Sequence, residues 1–105
     1  MSDPARGEIW WGELAEVGRR PYLVMTRSAA VPVLRSVVTA PITRTVRRTP
    51  SEVVLGPDDG MPVECAANFD DLRVVPKSHL SERLCRLGVA RMFEACVAVR
   101  AALDC

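Results

Sequence analysis

Seven arginines stand at positions 19, 20, 27, 35, 44, 47 and 48, in a stretch with no acidic residue. From position 52 to 71 the pattern inverts, with six acids (Glu52, Asp58, Asp59, Glu64, Asp70 and Asp71) and no basic residue. A guanidinium is a planar fork of donors that meets a phosphate with two parallel hydrogen bonds; an ammonium is only a point charge. The basic segment is therefore a candidate phosphate-binding surface inside a chain whose formal net charge is only +1. The plainer alternative is a set of solvated arginines on strand edges, offset by acids that the fold brings beside them. Metal chemistry finds less support. Cys65, Cys85, Cys96 and Cys105 form no C-x-x-C pair, and no histidine stands at zinc-finger spacing from them. Their gaps suit single buried thiols better than a metal or disulfide framework. The lone histidine, His79, excludes any mechanism that needs two histidines from one protomer.

The elements that must position these side chains are short and mostly extended. Glu8 to Leu14 is aromatic and alternating and reads as a first strand. Pro21 to Thr26 is a second, with its proline at the start, where no ladder donor is lost. Ser28 to Leu34 is a loop. Ser36 to Thr43 is a third strand, in which Pro41 points to an edge or a bulge. Thr45 to Pro50 is a basic turn, Glu52 to Leu55 a fourth strand, and Gly56 to Gly60 a strong turn signal. Pro62 to Ala67 and Asp71 to Val75 are the fifth and sixth strands. After Gly88, a possible cap, Val89, Met92, Phe93, Cys96, Val97 and Leu103 recur at helical spacing. They predict an amphipathic helix of about four turns with that stripe in the core. Trp10 and Trp11 point to opposite faces of the first strand, and core packing is the expectation for either. If one of the two is in the core, the other is free to stack on a base or line a dimer contact.

Together these elements predict one domain, residues 1–105, mainly β with a C-terminal helix: an antiparallel barrel or sandwich. The 105 residues, 49% apolar and 26% charged, can bury a real core. No apolar run approaches the roughly 20 residues that span a bilayer, so no membrane contact is expected. The first residues lack the pattern of a secretory signal, and the expected home is the cytoplasm.

Four blocks carry a resemblance. Arg6-Gly7-Glu8-Ile9-Trp10, Arg20-Pro21-Tyr22-Leu23-Val24-Met25, Val37-Val38-Thr39-Ala40-Pro41-Ile42-Thr43 and Leu72 to Leu80 occur in the order and at the intervals of the MazF/PemK-like toxins. Each block alone is weak, but the ordered set, spanning nearly the whole chain, resembles that family specifically. The resemblance implies an SH3-like barrel of the CcdB/PemK type and a homodimer with an RNA groove near its interface. It implies metal-independent, cofactor-free cleavage of single-stranded RNA by the ribose 2′-hydroxyl, leaving a 2′,3′-cyclic phosphate and a 5′-hydroxyl. It implies a MazE-like antitoxin whose acidic tail occupies the RNA site. The family's catalytic arginine falls on Arg20 and its catalytic threonine on Thr43. Arg19, Arg44, Arg47, Arg48 and Lys77 are then candidate RNA contacts.

The residue types suit that chemistry. Attack on phosphorus gathers negative charge on the non-bridging oxygens, which a fixed guanidinium can meet with two donors. A threonine hydroxyl can donate to the phosphate or orient the arginine. The general base is not obvious: arginine does not deprotonate in a protein, and Glu16, Glu52 and His79 are the candidates. Three features depart from the family. The Leu14 to Arg20 turn is short and lacks the segment that covers the RNA groove in relatives, Asp71 replaces a glutamine, and Glu52 replaces a histidine. Two other readings compete. A CcdB-like gyrase inhibitor would carry a tryptophan near the C-terminus, whereas this chain ends Arg-Ala-Ala-Leu-Asp-Cys. A non-catalytic RNA-binding barrel would not need Arg20 together with Thr43.

Overall fold

The computed structural model describes residues 3–104. Among them, seven strands precede one helix: β1 (Glu8–Leu14), β2 (Gly18–Val24), β3 (Ser36–Thr43), β4 (Glu52–Leu55), β5 (Cys65–Asn68), β6 (Arg73–Pro76), β7 (Leu80–Arg86) and α1 (Val89–Leu103). Short 3-10 turns occupy Pro57–Asp59, Phe69–Asp71 and Lys77–His79. The pairings are antiparallel along the path β4-β5-β3-β2-β1-β7, with β6 also on β3. This is the mainly β fold with a C-terminal helix that the sequence predicts. The sheet is not closed: β4 and β7 end the path, and no ladder joins them among the described residues.

Both faces of β1 to β3 are buried, so these strands read as runs of apolar residues rather than clean alternation. Ile9, Leu23, Ala40 and Ile42 project into one core with Val53, Leu55 and Phe69. α1 covers that core with Ala95 and Ala98. Trp10, Tyr22, Val24, Val37, Val75 and Leu80 project the other way and form a second cluster. Val31, from the loop between β2 and β3, closes it. α1 is also held by charge: Arg91 Nε donates to Asp59 Oδ1 at 2.9 Å, and a second guanidinium nitrogen reaches Oδ2 at 3.3 Å. Burial pushes the Asp59 carboxyl up, but the bonds from Arg91 and the Gly56 N–H outweigh it and leave the group below its ordinary range. Gly60 at the end of that turn has φ 96°, and a Cβ there would lie 2.7 Å from Cys85 Cβ.

Several expectations need correction. β7 was not predicted: its Ser81-Glu82-Arg83 centre has weak strand propensity, and register shifts against β1 break its alternation. β2 starts at Gly18, β5 only at Cys65, and residues 69–71 form a 3-10 turn before β6. Pro41 lies inside the path, not on an edge, at the irregularity where β3 leaves β6 after Thr39 and joins β5 from Ile42. The helix is the expected length but packs by another face. Ala95, Ala98, Met92, Val99 and Ala102 meet the core, while Val89, Phe93, Val97 and Leu103 of the predicted stripe are more than half exposed. Cys65 is the buried thiol expected, but Cys85 is only half-buried and Cys96 is exposed. Cys105 lies outside the described residues. No helix is long and apolar enough to cross a membrane among the described residues.

Candidate functional site

The site is built on the β1–β2 hairpin. Leu14 pairs with Gly18 across a three-residue loop, and Gly18 has the φ of 75° that closes such a loop cheaply. The ladder then sets Glu13 against Arg19 and Gly12 against Arg20. Successive strand residues face opposite ways, so the two arginines do different work. Arg19 lies over the Trp11 ring, 4.8 Å from its centroid, and reaches Glu82 at 3.3 Å and Ser81 at 3.4 Å. Trp11 is thus half-buried with a cation on its face, while Trp10 is in the core with its indole N–H on Glu8 Oε1. Arg20 is half-buried and has no hydrogen bond or ion pair among the described residues.

The β2–β3 ladder runs from Val24 and Thr39 to Tyr22 and Pro41 and stops there. Neither Pro21 nor Pro41 carries an N–H to donate, which accounts for the stop. β3 continues on β5 instead, through Ile42 with Ala67 and Thr43 with Ala66. Continued two residues, the β2–β3 register sets Arg20 opposite Thr43 on the face that Tyr22 shares. Thr43 Oγ1 accepts the Thr45 N–H at 3.1 Å, so its own O–H remains available to donate. Arg44 follows, exposed and without an acidic partner among the described residues. A cavity of about 70 Å³ lies beside Thr43, between Trp11, Pro21, Arg44 and Leu84.

The turn beyond Thr43 is organised by an acid. Glu52 Oε1 accepts the backbone N–H groups of Arg47 and Arg48 at 3.0 and 3.1 Å, and its side chain is only 2% exposed. The Arg47 guanidinium stands 4.0 Å from Glu52 Oε2. Arg48 takes a φ of 56° and pairs with Glu64 at 3.2 Å. The structure thus answers the charge-run question residue by residue. Arg19, Arg47 and Arg48 have acidic neighbours, whereas Arg20 and Arg44 beside Thr43 do not.

Lys77 is not brought to this group. Its Nζ donates to the Val31 and Pro32 carbonyls at 2.7 and 3.4 Å and stands 3.7 Å from Asp3. It follows Pro76, which pairs with Ser36 at the far end of β3, seven positions from Thr43 and so roughly 23 Å along the strand. The ammonium holds the β2–β3 loop. Of the candidate bases, Glu16 is exposed in the hairpin loop, His79 is exposed in the 77–79 turn, and Glu52 is committed to the basic turn.

Sequence reasoning missed the Glu52 contact, because an acid four or five residues from two arginines looks like any surface pair. It also missed the Tyr22 hydroxyl, which is buried without a hydrogen-bond partner on the Arg20 face. The arrangement as a whole offers, among the described residues, an unpaired guanidinium on β2, a free hydroxyl donor at the end of β3 and a second unpaired arginine next to it in sequence. Donors of this kind can meet a phosphate and the charge that develops on it.

A family model described as "PemK-like, MazF-like toxin of type II toxin-antitoxin system" matches residues 5–103. The probable endoribonuclease MazF5 of Mycobacterium tuberculosis is 48% identical over 103 residues, covering 97% of this chain and 94% of its own length. The probable endoribonuclease MazF2 of the same species is 37% identical over 101 residues, with 95% and 98% covered. A mycobacterial endoribonuclease solved in complex with its cognate antitoxin superposes with a TM-score of 0.86 at 28% identity, over 96% of this chain and 95% of that one.

Proposed function

The chain belongs to the PemK-like, MazF-like toxin family of type II toxin–antitoxin systems, and from that membership we propose that it is a toxin endoribonuclease acting through Arg20 and Thr43. What supports the choice of residues is the β2–β3 register: its last pair is Tyr22 with Pro41, Arg20 and Thr43 lie two residues beyond on the same face, and both have unused donors.

The reading of the chemistry follows from those donors. A single-stranded RNA lies across the gap with its scissile phosphate between the two side chains. The 2′-oxygen of the preceding ribose attacks phosphorus as its proton passes to solvent, and the 5′-oxygen of the next nucleotide leaves and takes up a proton from solvent. The products are a 2′,3′-cyclic phosphate and a 5′-hydroxyl. Arg20 meets the charge that grows on the non-bridging oxygens, in a half-buried position where it is worth more than in water. The Thr43 O–H donates to the same phosphate, and holding the 2′-oxygen in line supplies much of the rest. The positive charge comes from arginine, so the reaction proceeds without a metal. Arg44, with Arg47 and Arg48 on the Glu52-held turn, tracks the flanking phosphates, and Arg19 with Trp11 presents a stacking surface at the hairpin. Lys77 has no part in this reading.

An antitoxin completes it. An acidic, partly disordered segment neutralises the same arginines and competes with RNA for them. The exposed apolar face of α1 offers a surface for the homodimer. The test is incubation with a long RNA in EDTA, followed by mapping of cut sites and end groups. Cyclic phosphate ends at defined sequences are expected. Loss of cleavage in EDTA with recovery in magnesium overturns the metal-free chemistry, and absence of cleavage under both conditions overturns the enzyme reading.

A further inference from the structure

The Tyr22 hydroxyl stands out once the rest of the molecule is accounted for. It is the only buried side-chain nitrogen or oxygen without a hydrogen-bond partner among the described residues, on a residue that is 0% exposed. A phenol normally finds a partner when buried, and leaving one without costs stability. Its position says which partner it is kept for. Tyr22 lies two residues from Arg20 on the same face of β2. Gly12, the cross-strand neighbour of Arg20, carries no side chain. A Cβ there would meet Tyr22 Cδ2 at 3.0 Å and Cε2 at 3.2 Å. The ring therefore leans along the strand into the space that Gly12 leaves, toward the row occupied by Arg20. The charges felt by the hydroxyl agree: burial pushes the phenol up, Arg20 and Arg73 pull it down, and Asp71 pushes it up again. Arg73 and Asp71 are themselves paired at 3.4 Å, and Arg73 sits opposite Thr39 on the same stretch of β3.

We propose that Tyr22 is a positioning residue: its hydroxyl oxygen accepts an N–H from Arg20 when the guanidinium turns to the scissile phosphate. A guanidinium has five N–H donors, so two can face the phosphate while a third rests on the phenol. Among the described residues neither Arg20 nor the phenol has a hydrogen-bond partner in the free protein; the turned guanidinium gives the phenol oxygen a donor while its other N–H groups face the anion. This inference rests on Arg20 acting as proposed above. It adds that Arg20 is aimed from below by a group that touches no RNA.

The test is a double-mutant cycle on cleavage of a short RNA, with wild type, Tyr22→Phe, Arg20→Ala and the double variant. Wild-type cleavage, checked first, separates failure of the enzyme reading from failure of this one. Tyr22→Phe keeps the ring and its packing. Its kcat is expected to fall about tenfold with KM unchanged, the size of one hydrogen bond to a charged group. Its Tm is expected at or above the wild-type value, because the lost hydroxyl had no partner in the free protein. In the Arg20→Ala background the same change should cost nothing further. Unchanged kcat, a fall in Tm, or an equal loss with and without Arg20 each overturns the proposal.

Discussion

Replacing Glu52 separates a structural acid from a catalytic one. Its carboxylate accepts two backbone N–H bonds, at 3.0 and 3.1 Å, and faces the Arg47 guanidinium at 4.0 Å. A hydrogen bond to a charged group is worth about 1.5 kcal/mol or more, so the two would sum to about 3 kcal/mol. Arg47 and Arg48 are exposed, however, and water can replace the acceptor. The Arg47 pair adds little, because that guanidinium is 60% exposed. Glu52→Ala should therefore cost about 2 kcal/mol, near a 10 °C fall in Tm for a chain of this size. Arg48 is released at the same time from a φ of 56° that costs a non-glycine residue about 1 kcal/mol, which favours loosening of the whole turn. Glu52→Gln keeps an acceptor oxygen for both N–H groups and should lose about half as much. Its cleavage rate should stay within a few-fold of wild type. Differential scanning calorimetry and single-turnover cleavage of the two variants decide the matter. A Gln variant that melts like wild type yet loses about a hundredfold or more in rate would identify Glu52 as the general base and refute this account.

Arg20→Ala should remove about 2.7 kcal/mol or more of transition-state stabilisation, roughly a hundredfold in kcat/KM, with Thr43→Ala losing less; full activity in Arg20→Ala would refute the assignment. Replacing Arg47 and Arg48 together with alanine should weaken RNA binding evenly across sequences and flatten its dependence on salt, and a changed base preference at an unaltered slope would instead make them base readers. Glu8 lies below its ordinary value of 4.5: burial raises it, but bonds from Trp10, Ala5 and Arg83 outweigh that, and Asp59 lies below 3.8 through Arg91 and Gly56. Groups depressed in the folded state stabilise it above their unfolded values and lose that contribution as pH falls through the folded ones. The urea midpoint should thus hold down to about pH 4.5 and then drop, less steeply in Glu8→Gln; an unchanged midpoint down to pH 2 contradicts the linkage.

Much of this architecture was legible in the chain. The bounds of β1, β3 and β4 follow from apolar runs ended by turn residues. β7 was not, because two register shifts against β1 remove the alternation that marks a strand. The buried face of α1 was not either. Alanines and bulky residues make the helix apolar on most sides, and the sheet is close enough that Ala95 and Ala98, not Phe93 and Val97, fit against it. For the site, residue types pointed to phosphate and the resemblance pointed to Arg20 and Thr43. Only the register puts those two on one face. Lys77 shows the limit of charge counting, since an ammonium bound to carbonyls looks in sequence like one in water.

The arginine doublet has an evolutionary side. Arg19 and Arg20 differ in role only because Leu14 closes on Gly18. A slip of one residue in that pairing would exchange them, and would also turn Tyr22 and Leu23 out of their separate cores. Insertions in the hairpin are therefore tolerable only where they bulge outward beyond the closing pair. Under that rule, the loop can lengthen or shorten while Arg20 keeps its place opposite Gly12. Loop length and the geometry of the proposed site can then vary independently.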